Sequence, residues 1–370
     1  MKKSNVFFMF FCLLTFILCG CWDSQDIEGI FIPIVGGYDI KGNDEADYLP
    51  ELVVSGVFPI FEPDAVSSAT VGTTYSTTIG GSRTERALRT PQTLIFGMLQ
   101  AAVYGEDLAK KGFSDYCDIL LRNPQVKLNI YVAIAEGGVK DLFDKKITNY
   151  SNTGKYIVDL LKNAPKDSLI TNLTLHELSV SFYCRDVNVI IPVLKPIDNG
   201  VAIDGVGILK GDQLIAKTNV DEAQTLSFLR GNEAKGFMPF YGRGHEAGSI
   251  RVMHHSRKVK VKRIEDRYIF NIDISIKGSM VEFFQKEPLT ENHSEIEKIE
   301  NSIKKNLEKK CDEFINKMQS KYKVDCIDIT RFAAAKWRNE LEKMDMESFI
   351  NNAKINVNVN VDIIKTGELE

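Results

Sequence analysis

At 370 residues, with 44% hydrophobic and 26% charged side chains, the chain has the composition of a folded globular protein and not of a disordered one. Its formal net charge of −4 argues against nucleic acid as a partner and against a basic patch gripping anionic lipid. The length allows two or three domains of ordinary size.

Lys2 and Lys3 precede an apolar run from Val6 to Leu18 that is broken only by Thr15, and polarity returns at Asp23. A charged head, a core of about a dozen apolar residues and small residues at its end describe a secretory signal. At ~1.5 Å per helical residue the core covers roughly 20 Å, short of the ~30 Å hydrocarbon slab, so a spanning helix is the weaker reading. Leu18-Cys19-Gly20-Cys21 has the form of a bacterial lipobox, in which Gly20 leaves room for the peptidase and the Cys21 thiol takes diacylglycerol before cleavage. An ordinary signal peptide that ends beside a cysteine is the bland alternative. The expected products are a signal peptide over 1–20 and a mature chain that starts at Cys21, held on the outer face of the cytoplasmic membrane. Two or more acyl chains hold stably, at about 0.8 kcal/mol per buried CH₂. Loss of Lys2 and Lys3 takes the charge from −4 to −6.

Of the seven cysteines, Cys21, Cys117, Cys184, Cys311 and Cys326 survive cleavage. Export would allow the last four to oxidise in any of three pairings. They are widely dispersed, and a chain this long needs no staples, so separate buried thiols are expected, with Cys311 and Cys326 the first pair to test.

Gly29–Asp39 reads as a first strand, with Pro33 hinting at a sheet edge. Lys41–Asp47 reads as an acidic turn and Leu49–Phe58 as the partner strand. Glu62–Thr78, rich in Ser, Thr and small residues, is expected to form a loop entering a strand. Ser82, with Glu85 three places on, has the form of a capping box that opens a helix through Leu88. Leu99–Tyr104 suits a buried strand, Gly105–Leu121 a helix and Leu128–Ala135 a third core strand. Helices follow at Thr153–Lys162 and Thr174–Tyr183, then a strand at Val187–Leu194.

Pro192–Gly200 is the best domain boundary, giving an N-terminal α/β domain over 21–198, as one unit or two, and a C-terminal α+β domain over 199–370. Val206–Ile215 reads as a hairpin about Gly211-Asp212. Asp221 is expected to cap a short helix to Leu229, and Gly231–Gly248 to form a long loop. Val259, Val261 and Ile264 alternate with lysines, and Tyr268, Phe270, Ile272, Ile274 and Ile276 alternate with polar residues, which predicts two antiparallel strands with one dry face. Ser294 and Glu297 form a second capping box. From there Ile296, Ile299, Ile303, Leu307, Cys311, Phe314, Met318 and Tyr322 recur at spacings of three and four, an apolar stripe for packing on the sheet. Arg331–Met344 is a further helix with Phe332, Trp337 and Leu341 inward. Ile355, Val357, Val359, Val361 and Ile363 alternate with polar residues and predict a central strand of the C-terminal sheet. The fold class is α+β and multi-domain, with mixed and antiparallel sheets packed against helices.

Chemistry is sparse. His176, His245, His254, His255 and His293 have no zinc-like spacing, and His254 and His255 point to opposite faces of a strand. Gly205-x-Gly207 and Gly242-x-Gly244-x-x-x-Gly248 miss the dinucleotide spacing, and there is no phosphate loop or nucleophile elbow. The cluster Asn43-Asp44-Glu45-Asp47 lacks the ligand order of a calcium loop. No catalytic, metal or cofactor residue is assigned from these patterns.

Cys21-Trp22-Asp23-Ser24-Gln25-Asp26-Ile27 resembles the mature start of the C-subunit lipoproteins of spore germinant receptors, with Asp26 where Glu is more usual. The likeness continues through Arg83-Thr84-Glu85-Arg86-Ala87, Leu120-Leu121-Arg122-Asn123-Pro124, Ile203 to Leu214, and Asp325 through Trp337 to Phe349 and the last strand. Ile329-Thr330 stands where the family has Phe-Gly. The resemblance implies a non-catalytic subunit on the outer face of the spore's inner membrane, beside integral-membrane A and B subunits, that serves nutrient sensing. It carries over one functional residue, the lipidation site Cys21, and places Trp22 at headgroup level. A solute-binding lipoprotein of a transporter and an envelope enzyme are the alternatives. The first usually shows repeated βα units, which the hairpins of the second half do not suggest.

Overall fold

The computed structural model describes residues 29–41, 51–61, 68–148, 150–242, 245–283 and 293–366. It opens with two strands, β1 (Ile30–Phe31) and β2 (Val35–Lys41), where one strand is expected over Gly29–Asp39. Pro33 lies in the break. Lacking an N–H, it ends one ladder and lets the chain change partners instead of marking an edge. The chain continues through β3 (Glu51–Pro59), β4 (Ala69–Ser76), α1 (Ile79–Arg89), β5 (Thr93–Leu94) and β6 (Ala101–Gly105). β2 is interior, antiparallel to β3 on one side and parallel to β6 on the other. The acidic turn beyond Lys41 and residues 62–67 lie outside the described residues.

Thr78, and not Ser82, caps α1: its side chain accepts from Gly81 N at 3.0 Å. Ser82 is buried inside the helix against the Thr74 hydroxyl, and Glu85 Oε2 accepts from Tyr75 N at 2.7 Å. Ile79 is buried and the helix starts there, directly after Thr78, which puts the cap four residues upstream of Ser82.

The expected helix over Gly105–Leu121 is two, α2 (Glu106–Lys111) and α3 (Ser114–Leu121). Gly112 separates them at φ +111°, a conformation that L side chains avoid. Asp212 Oδ2, from a hairpin far along the chain, accepts from Ser114 N at 3.2 Å and Ser114 Oγ at 2.7 Å, so the second helix takes its cap from a distant segment. Next come β7 (Tyr131–Ala135), α4 (Val139–Phe143), α5 (Thr153–Asp167), α6 (Leu175–Tyr183), β8 (Ile190–Ile197), β9 (Gly200–Lys210) and β10 (Gln213–Lys217). Eight strands form one sheet in the order β10-β9-β8-β7-β6-β2-β3-β4, with β2, β6, β7 and β8 parallel at its centre. Its core strands are dry on both faces. Ala102 and Tyr104 of β6 pack with α2, α3 and α6, and Ala101 and Val103 pack with α4 and α5. Residues 192–200 form the β8–β9 hairpin, so the sheet draws its last two strands from beyond that point.

The second half adds α7 (Val220–Arg230), β11 (Gly236–Gly242), β12 (His245–Ile264), β13 (Arg267–Phe283), α8 (His293–Lys317), α9 (Thr330–Leu341), α10 (Met346–Asn352) and β14 (Lys354–Thr366). Asn219 caps α7 in a reciprocal box with Glu222, while Asp221 takes the first turn. The stretch expected to loop from Gly231 to Gly248 contains β11, which pairs antiparallel with β12. Gly236 and Pro239 hide its period. Ser294 lies within α8, and what precedes His293 is outside the described residues. The apolar stripe of α8 and the π-helical turn after it, Met318–Tyr322, is buried on the sheet from Ile299 to Tyr322. α9 ends at Leu341, earlier than expected, and loses helical geometry at Trp337.

β14 is an edge strand and not the centre, in the order β11-β12-β13-β14, and it runs parallel to β13. Strict alternation reports one dry face and carries no information on how many neighbours a strand has. The open edge is covered by α8: Val359 N and Ile363 N donate to Glu308 Oε1 at 3.0 Å and Glu300 Oε1 at 2.8 Å. Paired this way, the edge is no longer a template for another chain. Val206 and Ile208 of the first sheet share a hydrophobic cluster with β12, β13 and α8, so the two sheets are packed through a common core. This is the expected α+β architecture.

Candidate functional site

Cys21 and Trp22 lie outside the described residues, as does the apolar run before them. Among the described residues no helix is long and apolar enough to cross a membrane. The chain enters the described structure at Gly29 and is tied down at once. β1 pairs parallel with β5, and Ile95 N donates to Phe31 O at 3.1 Å. The Phe31 ring stacks on Phe58, and the buried Arg86 guanidinium lies 4.9 Å from the Phe58 centroid and 5.7 Å from that of Phe31. Burial lowers the pKa of Arg86 below the ordinary guanidinium value.

Two stretches that are distant in sequence meet at this point. Arg83, Arg86 and Ala87 on α1 and Arg122 to Pro124 after α3 line one groove of about 840 Å³, closed by Thr93 and Leu94 of β5 and by Phe96. Arg83 lies over the Phe96 ring at 5.5 Å, and Phe96 N donates to Gln125 Oε1 at 3.0 Å. Arg83 and Arg122 are exposed, and Asp118 binds Arg122 Nε at 2.5 Å. Among the described residues no carboxylate lines the groove.

A second polar constellation joins the halves. Arg230, at the end of α7, donates to Cys326 O at 2.7 Å and to Asn188 O at 2.8 Å. Arg257, on the dry face of β12, donates to Leu229 O and Ile327 O, each at 2.6 Å. Burial depresses the pKa of Arg257 to about 10, against the raising effect of Asp328. Asp328 sits at φ +55° and pairs with Arg331 Nε at 2.9 Å, while burial raises its carboxyl pKa. Asp325 accepts from Ile327 N at 3.1 Å and Thr330 N at 2.7 Å and so opens α9. Beside this clamp lies a polar cavity of about 430 Å³ that both halves line, with His176, Glu177 and Asn188 facing Arg230, Glu233 and Arg331. Sequence reasoning did not single out Arg230 or Arg257.

The remaining candidates resolve into structure. His254 is exposed and His255 buried, as the strand alternation requires. Among the described residues no three His, Cys, Asp or Glu side chains come together to hold a metal. Gly205 is at φ +125°, where a Cβ would lie 2.2 Å from Thr218 O, so close packing explains Gly205-x-Gly207 without a nucleotide. At the carboxyl ends of the parallel strands Lys217 pairs with Glu106 at 2.8 Å and Glu136 at 3.0 Å, and Lys110 and Lys195 pair with the same two carboxylates at 3.0 and 3.6 Å. Cys117, Cys184, Cys311 and Cys326 are free thiols. Burial pushes Cys117 and Cys311 up to about 12, so neither is a nucleophile at neutral pH. Alkylation followed by mass measurement should label none of the three buried thiols, at 117, 311 and 326, in the native protein and all of them after unfolding without reductant. A Cys311–Cys326 pair that stays unlabelled until reduction would overturn this.

Two family models match in tandem. The one described as "Spore germination protein N-terminal domain" covers residues 23–196, and the one described as "Spore germination B3/ GerAC like, C-terminal" covers residues 204–367. The chain is 25% identical over 335 residues to "Spore germination protein B3" of Bacillus subtilis (strain 168), covering 88% of this chain and 87% of that one. It is 22% identical over 372 residues to "Spore germination protein GerQC" of Bacillus cereus, covering 97% and 98%. Among solved structures, "Crystal Structure of the GerBC protein" aligns with a TM-score of 0.55 at 20% identity, over 92% of this chain and all of that one. That likeness is one of fold.

Proposed function

The chain belongs to the GerAC-type family of spore germination proteins, and on that premise we propose that it is a lipid-anchored, non-catalytic C subunit of a nutrient germinant receptor in the spore inner membrane. The observation that carries the reading is the match of both family models in order across nearly the whole chain after the lipobox-like Leu18-Cys19-Gly20-Cys21. Acyl chains on Cys21 would hold the globule on the outer face, where it acts by contact with integral-membrane A and B subunits.

Replacing Cys21 with alanine tests the anchor. The expected result is loss of the diacylglycerol mass from the mature N-terminus, release of the protein from spore membranes, and loss of response to the germinants this receptor serves, with sporulation intact. A wild-type chain of unmodified mass, or a Cys21→Ala spore that germinates normally, refutes the reading. Crosslinking of tagged protein in spore membranes should return the two integral-membrane subunits.

A further inference from the structure

We propose that the groove between α1, β5 and the end of α3 takes the headgroup of an anionic phospholipid, so that this face of the first half lies on the bilayer. The inference rests on the Cys21 anchor proposed above and adds an orientation to it.

Position is the first argument. Eight residue steps separate Cys21 from Gly29, at most about 28 Å at ~3.5 Å per residue. β1 follows immediately and pairs with β5, whose Thr93 and Leu94 line the groove. The groove is therefore one strand away from the point where the tether ends. A chain anchored through Cys21 has this end within tether reach of the headgroups at all times, so a weak individual contact acts at high effective concentration.

Charge is the second. The chain as a whole is negative, which an anionic surface repels. Arg83, Arg86 and Arg122 converge on the groove, and among the described residues no Asp or Glu lines it. Glu85 is turned to Tyr75 N and Arg89, and Asp118 engages the Nε of Arg122 from outside. Guanidinium forks match phosphodiester oxygens in pairs. Arg86 is buried against the stacked pair Phe31 and Phe58, whereas the exposed Arg83 and Arg122 flank the opening. A local basic face at the tether end of a net acidic globule turns that end toward the membrane. Net charge alone conceals this arrangement.

The full-length acylated protein, reconstituted in vesicles, tests it by hydrogen exchange of the segments 83–96 and 119–125. Exchange should slow severalfold in phosphatidylcholine vesicles containing phosphatidylglycerol relative to phosphatidylcholine alone. The double variant Arg83→Gln/Arg122→Gln should lose the difference, and Arg83→Lys/Arg122→Lys should recover most of it, each cation contributing about fivefold to surface binding. Equal exchange in both lipids, or protection that survives in the glutamine variant, overturns the proposal. So does equal protection by soluble glycerol phosphate added to phosphatidylcholine vesicles, which would make the groove an anion site without bilayer contact. Intact mass of the same sample separates the two readings. An acylated chain without lipid-dependent protection sinks the groove alone, and a non-acylated chain sinks the anchor and the orientation with it.

Discussion

Replacing Arg257 with methionine lowers the unfolding free energy of the protein by about 3 kcal/mol, as buried charge-assisted hydrogen bonds are worth roughly 1.5–3 kcal/mol each and orphaned carbonyls add their own cost. The side chain holds the carbonyls of Leu229 and Ile327 at 2.6 Å, and so ties the end of α7 to the segment before α9. Methionine fills much of the stem's volume and satisfies neither carbonyl. Arg251 on the same strand is the control, because it is exposed and makes only the loose contacts with Asp167 at 3.7 Å and over the Phe237 ring at 5.7 Å. Arg251→Met should cost no more than about 1 kcal/mol, the range of exposed pairs. Denaturant titration of the two variants side by side decides the matter, and matching midpoints would remove the clamp from the account.

Acid should unfold the protein through His255. Burial lowers its pKa to about 4 from the ordinary 6.5, with a smaller push from neighbouring His254. The unfolded imidazole takes up a proton below pH 6.5 while the folded one stays neutral, so protons favour unfolding in that window. The stability is complete above pH 6.5 and is lost as pH falls toward 4, by at most about 3 kcal/mol at 1.36 kcal/mol per unit. Burial raises the carboxyl groups of Asp39 and Asp328, which therefore works in the opposite direction as they bind protons more readily when folded. The difference between wild type and His255→Leu removes that contribution. The leucine variant keeps an apolar group against Phe228, whose ring centre lies 4.9 Å from the imidazole. Its stability should fall less between pH 6.5 and 4 than that of wild type, and parallel pH profiles would contradict the assignment.

Much of the second half was legible because its periods are long and clean. The stripe from Ile299 to Tyr322 and the alternation through β13 each bury one face, and side-chain spacing reports faces directly. Neighbour number is another matter. The most regular alternation in the chain belongs to an edge, and what covers that edge is Glu300 and Glu308 from a helix some fifty residues earlier. Caps show the same limit. Asp212 begins α3 across 98 residues, and no local pattern around Ser114 announces it. Arg257 was within reach of the sequence: with Lys258, Lys260 and Lys262 outward, residue 257 must share the dry face with Val259 and Val261, and a charge there demands partners. The groove was masked for a different reason. Glu85 drew the reading of Arg83 to Ala87 toward a cap, whereas the arginines on either side carry the surface. The proposed lipidation of Cys21 is a matter of sequence alone, because Cys21 precedes the described residues.

The hairpin that carries the first sheet past residue 200 has a bearing on how the gene can be dissected and how the chain completes its first sheet during synthesis. A fragment ending near 198 would leave Ile190, Ile191, Val193 and Leu194 on a bare, sticky margin where β9 and β10 belong. The first sheet is therefore not finished until residue 217 has been synthesised, and swapping halves between relatives at the seam would exchange two strands of the recipient's own sheet.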